Sequence, residues 1–479
     1  MRRYFQTVWH TVFAALSCIL FFSCTDVDHG LFWNIEHEEK IPDNSLPNDI
    51  GVYGMIKIPS LYTGSSQAQE RWHPDGRYYL AGGALFFRES GSDWKRISAP
   101  GSGGIVNDVA WIDTGSSIEI YVSVMYGNSG RLFRLNEQVN PNYTIPNPSY
   151  DPLLPAGPSN QPRITDLTST YTAYGSEIPY PNGGQIQRLI SIDTDTTSAP
   201  GYGKPDEFFM STGTPTNNSY QFFHCSWTGT KIDPHETGLS GEIITGGTYD
   251  SVNSVYWFVS KSHVFKVHPS ALSSMPALPP SNEWMQHIVW EISSSSISGS
   301  DPDIFRFPNQ RLSRFSDIFY DAGNSSSGSV PLVLSGIASP NYSTYNSNPN
   351  LYIACGDGLF MTTTQPSGTP QTWDRLSGGY HTSIAKMIYG SLQGESRLIA
   401  GREDSGLVEF ERRDNLGTGV KEPYGHYPYG KYSDFSSLYN ASVTRLLADG
   451  PIVIAGTTRS GAWNGNYSSG ITSPKWSQE

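Results

Sequence analysis

Arg397-Leu398-Ile399-Ala400-Gly401 and then Gly406-Leu407-Val408-Glu409-Phe410, preceded by an apolar run from Ile384 to Tyr389, make one copy of a phrase that the chain repeats in different words. The phrase is an apolar strand, a short turn, a second apolar strand ending in small residues, a turn containing glycine, and a third apolar strand. Val443 to Leu447, Ile452-Val453-Ile454-Ala455-Gly456 and Gly461-Ala462-Trp463 restate it. So do Phe315 to Tyr320 with Leu351 to Met361, and Val106 to Ile112 with Ile120 to Val124 and Gly130 to Leu135. Strand-only units recurring every few tens of residues are the signature of a propeller. A single four-stranded sheet cannot bury both of its faces. Stacking the next sheet on it does, and closing the stack into a ring leaves no unpacked end. The reading predicts an all-β, seven-bladed β-propeller over 51–479, with units at 51–99, 100–160, 161–235, 236–298, 299–379, 380–435 and 436–479.

Local chemistry agrees with this. Short, near-continuous apolar runs suit strands covered on both faces. Ala81-Gly82-Gly83, Ala400-Gly401 and Ala455-Gly456 belong where strands crowd toward the ring axis. Gly91, Gly358, Gly406 and Gly461 stand at hairpin turns that call for positive φ. Charged residues make up only 16% of the 479, while Gly (48), Pro (33) and aromatics (13%) are plentiful, which favours strands and turns over helices. The net charge of −13 argues against nucleic acid as a partner.

The N-terminus reads as an export signal. Arg2 and Arg3 precede a mostly apolar stretch, 8–22, that is short for a spanning helix. Phe21-Phe22-Ser23-Cys24 follows, and it resembles the processing box of bacterial lipoproteins, of the looser kind found in spirochaetes. That resemblance implies a signal peptide over 1–23 and lipidation of Cys24. Ala15-Leu16-Ser17-Cys18 is the alternative box, and an ordinary secretory signal or an uncleaved anchor stays open. Residues 24–50 are polar and acidic and read as a flexible tether. The body then keeps two cysteines, Cys225 and Cys355, each in an apolar strand context. They are expected as buried free thiols.

Glu89-Ser90-Gly91-Ser92-Asp93-Trp94 resembles the Asp-box hairpin of BNR-type propellers, with Phe87 where that family has Ser or Thr. Gly368 to Trp373 and Gly470 to Trp476 keep the Gly and Trp at longer spacing. With the Gly356-Asp357-Gly358-Leu359-Phe360 turn, the body resembles exported BNR/Asp-box or NHL/YCF48-like propellers. In that family the Asp-box is a structural hairpin and implies no chemistry.

Catalytic and metal-binding patterns are thin. The acidic turns at Asp193-Thr194-Asp195, Asp301-Pro302-Asp303 and Asp357 match no calcium loop and read as turn caps; no metal or other cofactor is expected. There is no GxSxG, HExxH or phosphate-binding glycine loop. His224 and Cys225 are neighbours on a strand and so point to opposite faces. Asp-box propellers include sialidases, which pair a Tyr nucleophile with Glu and use an arginine triad. Tyr320, Tyr389 and Glu409 could be drawn into such a pair, but Pro162-Arg163-Ile164 is only a reversed version of that family's arginine motif. The best candidate contact surface is the tyrosine-rich segment holding Tyr424, His426, Tyr427, Tyr429 and Tyr432, since Tyr offers a large rigid face and a hydroxyl. The expectation is a non-catalytic module, membrane-anchored by its lipid and facing the periplasm or cell surface, that binds an envelope or host protein or a saccharide. The alternative is an extracytoplasmic glycosidase or lyase. The channel should discriminate: an enzyme gathers two carboxylates and two arginines about one pocket, a binding module aromatics and neutral polar groups.

Overall fold

The chain divides into two units, residues 1–45 and 46–479. The computed structural model describes residues of the second unit, outside 47–49, 60–75, 136–173, 195–204, 276–288, 301–313, 322–349, 364–373, 412–424, 429–437, 467–474 and shorter turn segments. Cys24, the signal peptide, Tyr424, Tyr429, Tyr432 and the Gly91 turn lie outside the described residues.

Seven sheets follow one another along the chain, each built from one contiguous segment. Their first strands are Gly54–Pro59, Ile105–Asp113, Gln185–Ile192, Ile244–Asp250, Asp317–Asp321, His381–Tyr389 and Val443–Asp449. Each first strand touches the first strand of the next blade, so these seven line the axis. The remaining strands of each blade step outward in sequence order. The all-β, seven-bladed propeller is the fold.

Several details depart from the sequence reading: Leu46 and Ile50, expected in the tether, belong to the propeller, and the boundaries expected at 235 and 298 fall inside Ile232–Ser240 and Ser296–Ser300. Tyr174–Ile178 is the fourth strand of blade 2, so the boundary expected at 160 falls later; a long insert separates this strand from its hairpin partner. Blade 4 has five strands. Val264–Val267 pairs in parallel with Val289–Ser293, which then turns back into Ser296–Ser300. A parallel neighbour needs a crossover, and the chain leaves Val267 through a 3-10 turn at Pro269–Ala271 rather than a hairpin.

Aliphatic and aromatic side chains fill the space between blades. Trp111, Val109, Val122 and Val124 of blade 2 meet Ile56, Tyr79 and Leu85 of blade 1. Burying each such side chain is worth about 1.5–3 kcal/mol, which makes stacking the chief source of stability. Glycine ends the second strands where the next blade comes closest. A Cβ on Gly401 would stand 2.5 Å from Val443, and one on Gly456 would stand 3.1 Å from Val52. The crowding is therefore against the next blade. Gly406 (φ 69°) and Gly461 (φ 64°) adopt the left-handed conformation expected of them. Cys225 is a free, buried thiol, and Cys355 is buried as well.

Among the described residues no strand is exchanged between the first and last blades. The Val52 N–H donates to the Thr457 carbonyl (2.8 Å) and the Gly461 N–H to the Ile50 carbonyl (3.0 Å). Leu46, Val52 and Met55 pack with Leu447, Ile454 and Ala462 behind those bonds.

Candidate functional site

The axial strands share a bulge. In five of them the pairing register slips by one residue, at Asn107, Gln187, Thr245, Thr382 and Thr444. A bulge re-aims the side chains on either side of it. Four of the five bulged residues, all but Gln187, turn toward the next blade. Asn107 Nδ2 donates to the Ile186 carbonyl (2.9 Å), Thr245 Oγ1 to that of Phe315 (3.1 Å) and Thr382 Oγ1 to that of Val443 (2.6 Å). Ser316 Oγ donates likewise to the His381 carbonyl, and Thr444 Oγ1 to that of Val52, which closes the ring. The same latch thus joins five of seven blade junctions.

The residue after the bulge faces the channel. In the five bulged strands this position holds Asp108, Arg188, Gly246, Ser383 and Arg445, and the equivalent residues of the other two are Gly54 and Asp317. Asp108 Oδ1 accepts from the Val109 N–H (2.9 Å). Its Oδ2 accepts from the Leu189 N–H (2.9 Å) and from Arg188 Nη1 (3.0 Å). Asp317 repeats this three blades on, accepting from the Ile318 N–H (3.0 Å), the Ile384 N–H (2.9 Å) and Ser383 Oγ (3.3 Å). Ser383 Oγ in turn accepts from the Leu446 N–H (3.1 Å). Gly54 and Gly246 make room for the two aspartates. A Cβ on Gly54 would lie 2.2 Å from Asp108 Oδ1, and one on Gly246 2.9 Å from Asp317 Oδ1.

The arginines reach across the channel. Arg188 Nε donates to the Thr245 carbonyl (3.2 Å) and its Nη1 also approaches the Tyr53 carbonyl (3.4 Å), so one side chain of blade 3 bonds blades 1, 2 and 4. Arg445 Nε donates to the same Tyr53 carbonyl (3.2 Å). Burial pushes the Asp317 carboxyl above the usual carboxylate range, against the pull of Arg445 and two backbone N–H groups. Burial, and then the Arg188 charge, press the Arg445 guanidinium below its ordinary value. The cavity between these groups is about 40 Å³. That is room for two or three waters at roughly 15 Å³ each.

By composition the lining meets the enzyme criterion: two aspartates and two arginines around one cavity. By geometry the carboxylates are occupied. Every oxygen of Asp108 and Asp317 accepts from a main-chain N–H, leaving neither poised over a substrate-sized space.

His426 and Tyr427 fall in Gly425–Pro428, the outermost strand of blade 6, where Tyr427 pairs with Glu409. They are therefore part of the sheet edge. Tyr320 is fully buried. His224 and Cys225 do point apart: His224 stacks on Phe209 (4.9 Å) and pairs with Glu207 (2.5 Å), while Cys225 enters the core between blades 2 and 3. Trp94 lies on Arg88 (4.7 Å) and Trp476 pairs across from Gly465, so these two tryptophans of the three Asp-box-like hairpins serve packing; Trp373 lies outside the described residues. Among the described residues no three His, Cys, Asp or Glu side chains gather as a metal-binding group.

The axial residues are the ones sequence reading missed, although a signal was present. A polar pair precedes the apolar core of each of five axial strands or opens it: Asn107-Asp108, Gln187-Arg188, Ser316-Asp317, Thr382-Ser383 and Thr444-Arg445; a sixth has Thr245-Gly246 there.

These features define a seven-bladed β-propeller with a latched, charge-lined axis. No protein family matches the chain, and no curated protein does. Among solved structures it is similar to virginiamycin B lyase from Staphylococcus aureus, with 10% identity over 88% of this chain and 96% of that one, at a TM-score of 0.42. It is also similar to a chain of the mitotic checkpoint complex, with 9% identity over 90% and 98%, at a TM-score of 0.38.

Proposed function

We propose that this protein is a lipid-anchored, extracytoplasmic binding or scaffolding module that holds an envelope or host protein, or a saccharide, without transforming it. The observation that carries this reading is the occupancy of the axial carboxylates: Asp108 and Asp317 bond backbone amides of the next blade and so act as ties within the ring. A cavity of about 40 Å³ gives a sugar ring no place beside them. Cys24 supplies the anchor, and the polar stretch that follows it the reach from the bilayer. Photo-cross-linking on intact cells, followed by mass spectrometry, should recover one reproducible partner in the wild type. Labelled palmitate should enter the wild type and Cys18→Ala but not Cys24→Ala.

The second reading, a glycosidase or lyase, draws on the composition of the axial lining. A panel of chromogenic glycosides and uronides tests it. Turnover lost in both Asp317→Asn and Arg445→Gln would establish it over the binding module.

A further inference from the structure

Arg445 is not consumed in the way the other axial charges are. Asp108 and Arg188 form an ion pair at 3.0 Å. Arg445 spends only its Nε, on the Tyr53 carbonyl; the Asp317 and Asp108 charges attract it, but its two terminal nitrogens make no hydrogen bond or contact ion pair among the described residues. It lines the axial cavity and is half-buried, whereas Asp108 and Asp317 are almost fully covered. The guanidiniums of Arg188 and Arg445 both turn toward the Tyr53 carbonyl, which lies at the leading end of the axial strands. Two guanidiniums therefore gather at this end of the channel, on a chain whose net charge is −13.

A second observation falls on the same end. Tyr53 and Ile105 are the large hydrophobic residues that stand exposed among the described ones, at 47% and 51%. Tyr53 immediately precedes Gly54 and Ile105 lies three residues before Asp108, so both sit at the leading ends of neighbouring axial strands, in blades 1 and 2. The Tyr53 ring folds over Gly51 beside the blade 7 residue Thr458, next to the strand that carries Arg445.

We propose that this end of the channel is a docking site for an acidic peptide segment of a partner protein: a carboxylate enters the mouth and bonds the free nitrogens of Arg445, while an adjacent apolar side chain lies on Tyr53 and Ile105. This deepens the binding-module reading and rests on it. Charge complementarity selects the anion, because a planar guanidinium with two free donors matches a carboxylate bidentately. The small cavity admits a carboxyl group but not a pyranose ring. Ile105 favours a peptide over a saccharide, since an aliphatic side chain offers a sugar no stacking face.

The test is a display library of random dodecapeptides selected on the full-length chain in detergent micelles, with polygalacturonate as a competing probe. Selected peptides should be enriched in Asp or Glu next to Leu, Ile or Phe. Their binding should fall at least tenfold when the acid is changed to its amide, at least tenfold in Arg445→Gln, and severalfold in Ile105→Ser, with Arg445→Lys in between. Ile105 is exposed, so Ile105→Ser keeps the fold even if Arg445→Gln does not. Enrichment without acids, binding indifferent to Ile105→Ser and Arg445→Gln, no enrichment at all, or retention of polygalacturonate alone would each overturn the proposal. If cross-linking on cells still captures a partner in both variants, the binding-module reading stands and only this docking mode falls.

Discussion

The junction between blades 6 and 7 and the junction between blades 3 and 4 hold the same kind of sheet together by different chemistry. At the first, Thr382 latches the Val443 carbonyl, Ser383 accepts from the Leu446 N–H, and small or aliphatic side chains such as Ala385, Ile399 and Ala455 fill the gap. At the second no such latch forms: the bulged residue is Gln187, and Arg188 bonds the Thr245 carbonyl instead. Ser211 Oγ takes the Ile244 N–H (3.0 Å), and the gap is packed with rings. Phe209 meets Phe258 edge-on at 4.8 Å and stacks on Phe222 at 5.4 Å. A Cβ on Gly247 would come within 2.6 Å of Phe258, so the glycine makes room for that ring. Tyr256 donates to Glu207 (2.6 Å), tying blade 4 to blade 3. A propeller junction thus needs buried area and satisfied axial carbonyls; which residues supply them is free to vary.

Four substitutions sharpen or break that comparison. Asp108→Ala removes the anchor of the Leu189 N–H and leaves Arg188 unpaired, so it disturbs the junctions on both sides of blade 3. Breaking a buried pair this way should cost about 3–5 kcal/mol, read from urea unfolding, and a loss below 1 kcal/mol would show that the axial charges are ornamental. Phe209→Ala acts on the 3–4 junction alone. Truncating a buried Phe should cost about 3 kcal/mol and leave the 6–7 junction's hydrogen-exchange protection unchanged; an equal loss of protection at both would mean that the junctions are not independent.

Thr382→Val keeps the shape of the 6–7 latch and removes its donor, so it should cost only about 1 kcal/mol. A larger loss would mean that the latch, rather than packing, chiefly holds that junction. The smallest effect belongs to a pair that touches neither junction. Glu291 lies across the parallel pair from Lys266 (3.1 Å) and near His268 (2.8 Å) at the outer side of blade 4. Burial alone would raise its carboxyl, but hydrogen bonds from His268 and Lys266 outweigh burial and hold it below its ordinary value. A depressed carboxylate stabilises the fold above its unfolded-state value, and that contribution is lost as the pH falls through its folded-state value. Glu291→Gln should therefore lower the stability slightly at pH 7, by a few tenths of a kcal/mol, read from thermal unfolding, and make no difference near pH 2. An effect that grew toward low pH would reverse the assigned sign.

Much of the axis could have been read from the chain. Asn107-Asp108 and Thr444-Arg445 stand in plain view before apolar runs, yet a polar pair at a strand start looks like turn chemistry until the bulge is known. Arg445 and Tyr53 are 392 residues apart in sequence, and no local pattern links them. The fourth strand of blade 2 is obscured by a different cause: its hairpin partner ends at Leu135 and the strand begins at Tyr174, so the repeat spacing is stretched beyond recognition. The tyrosine-rich segment stands out through composition alone, and part of it is the edge strand Gly425–Pro428.

Sequence by itself determined the architecture. Alternating apolar runs and glycine turns dictate strands locally, and sheets with two apolar faces bury both only by stacking on one another. Tertiary structure decided which side chains meet at the axis, because ring closure brings together positions from seven separate segments. It also decided that two aspartates would tie backbone amides while one arginine keeps two donors free, since that division depends on distances of a few ångströms set by the bulges and by the glycines at Gly54 and Gly246.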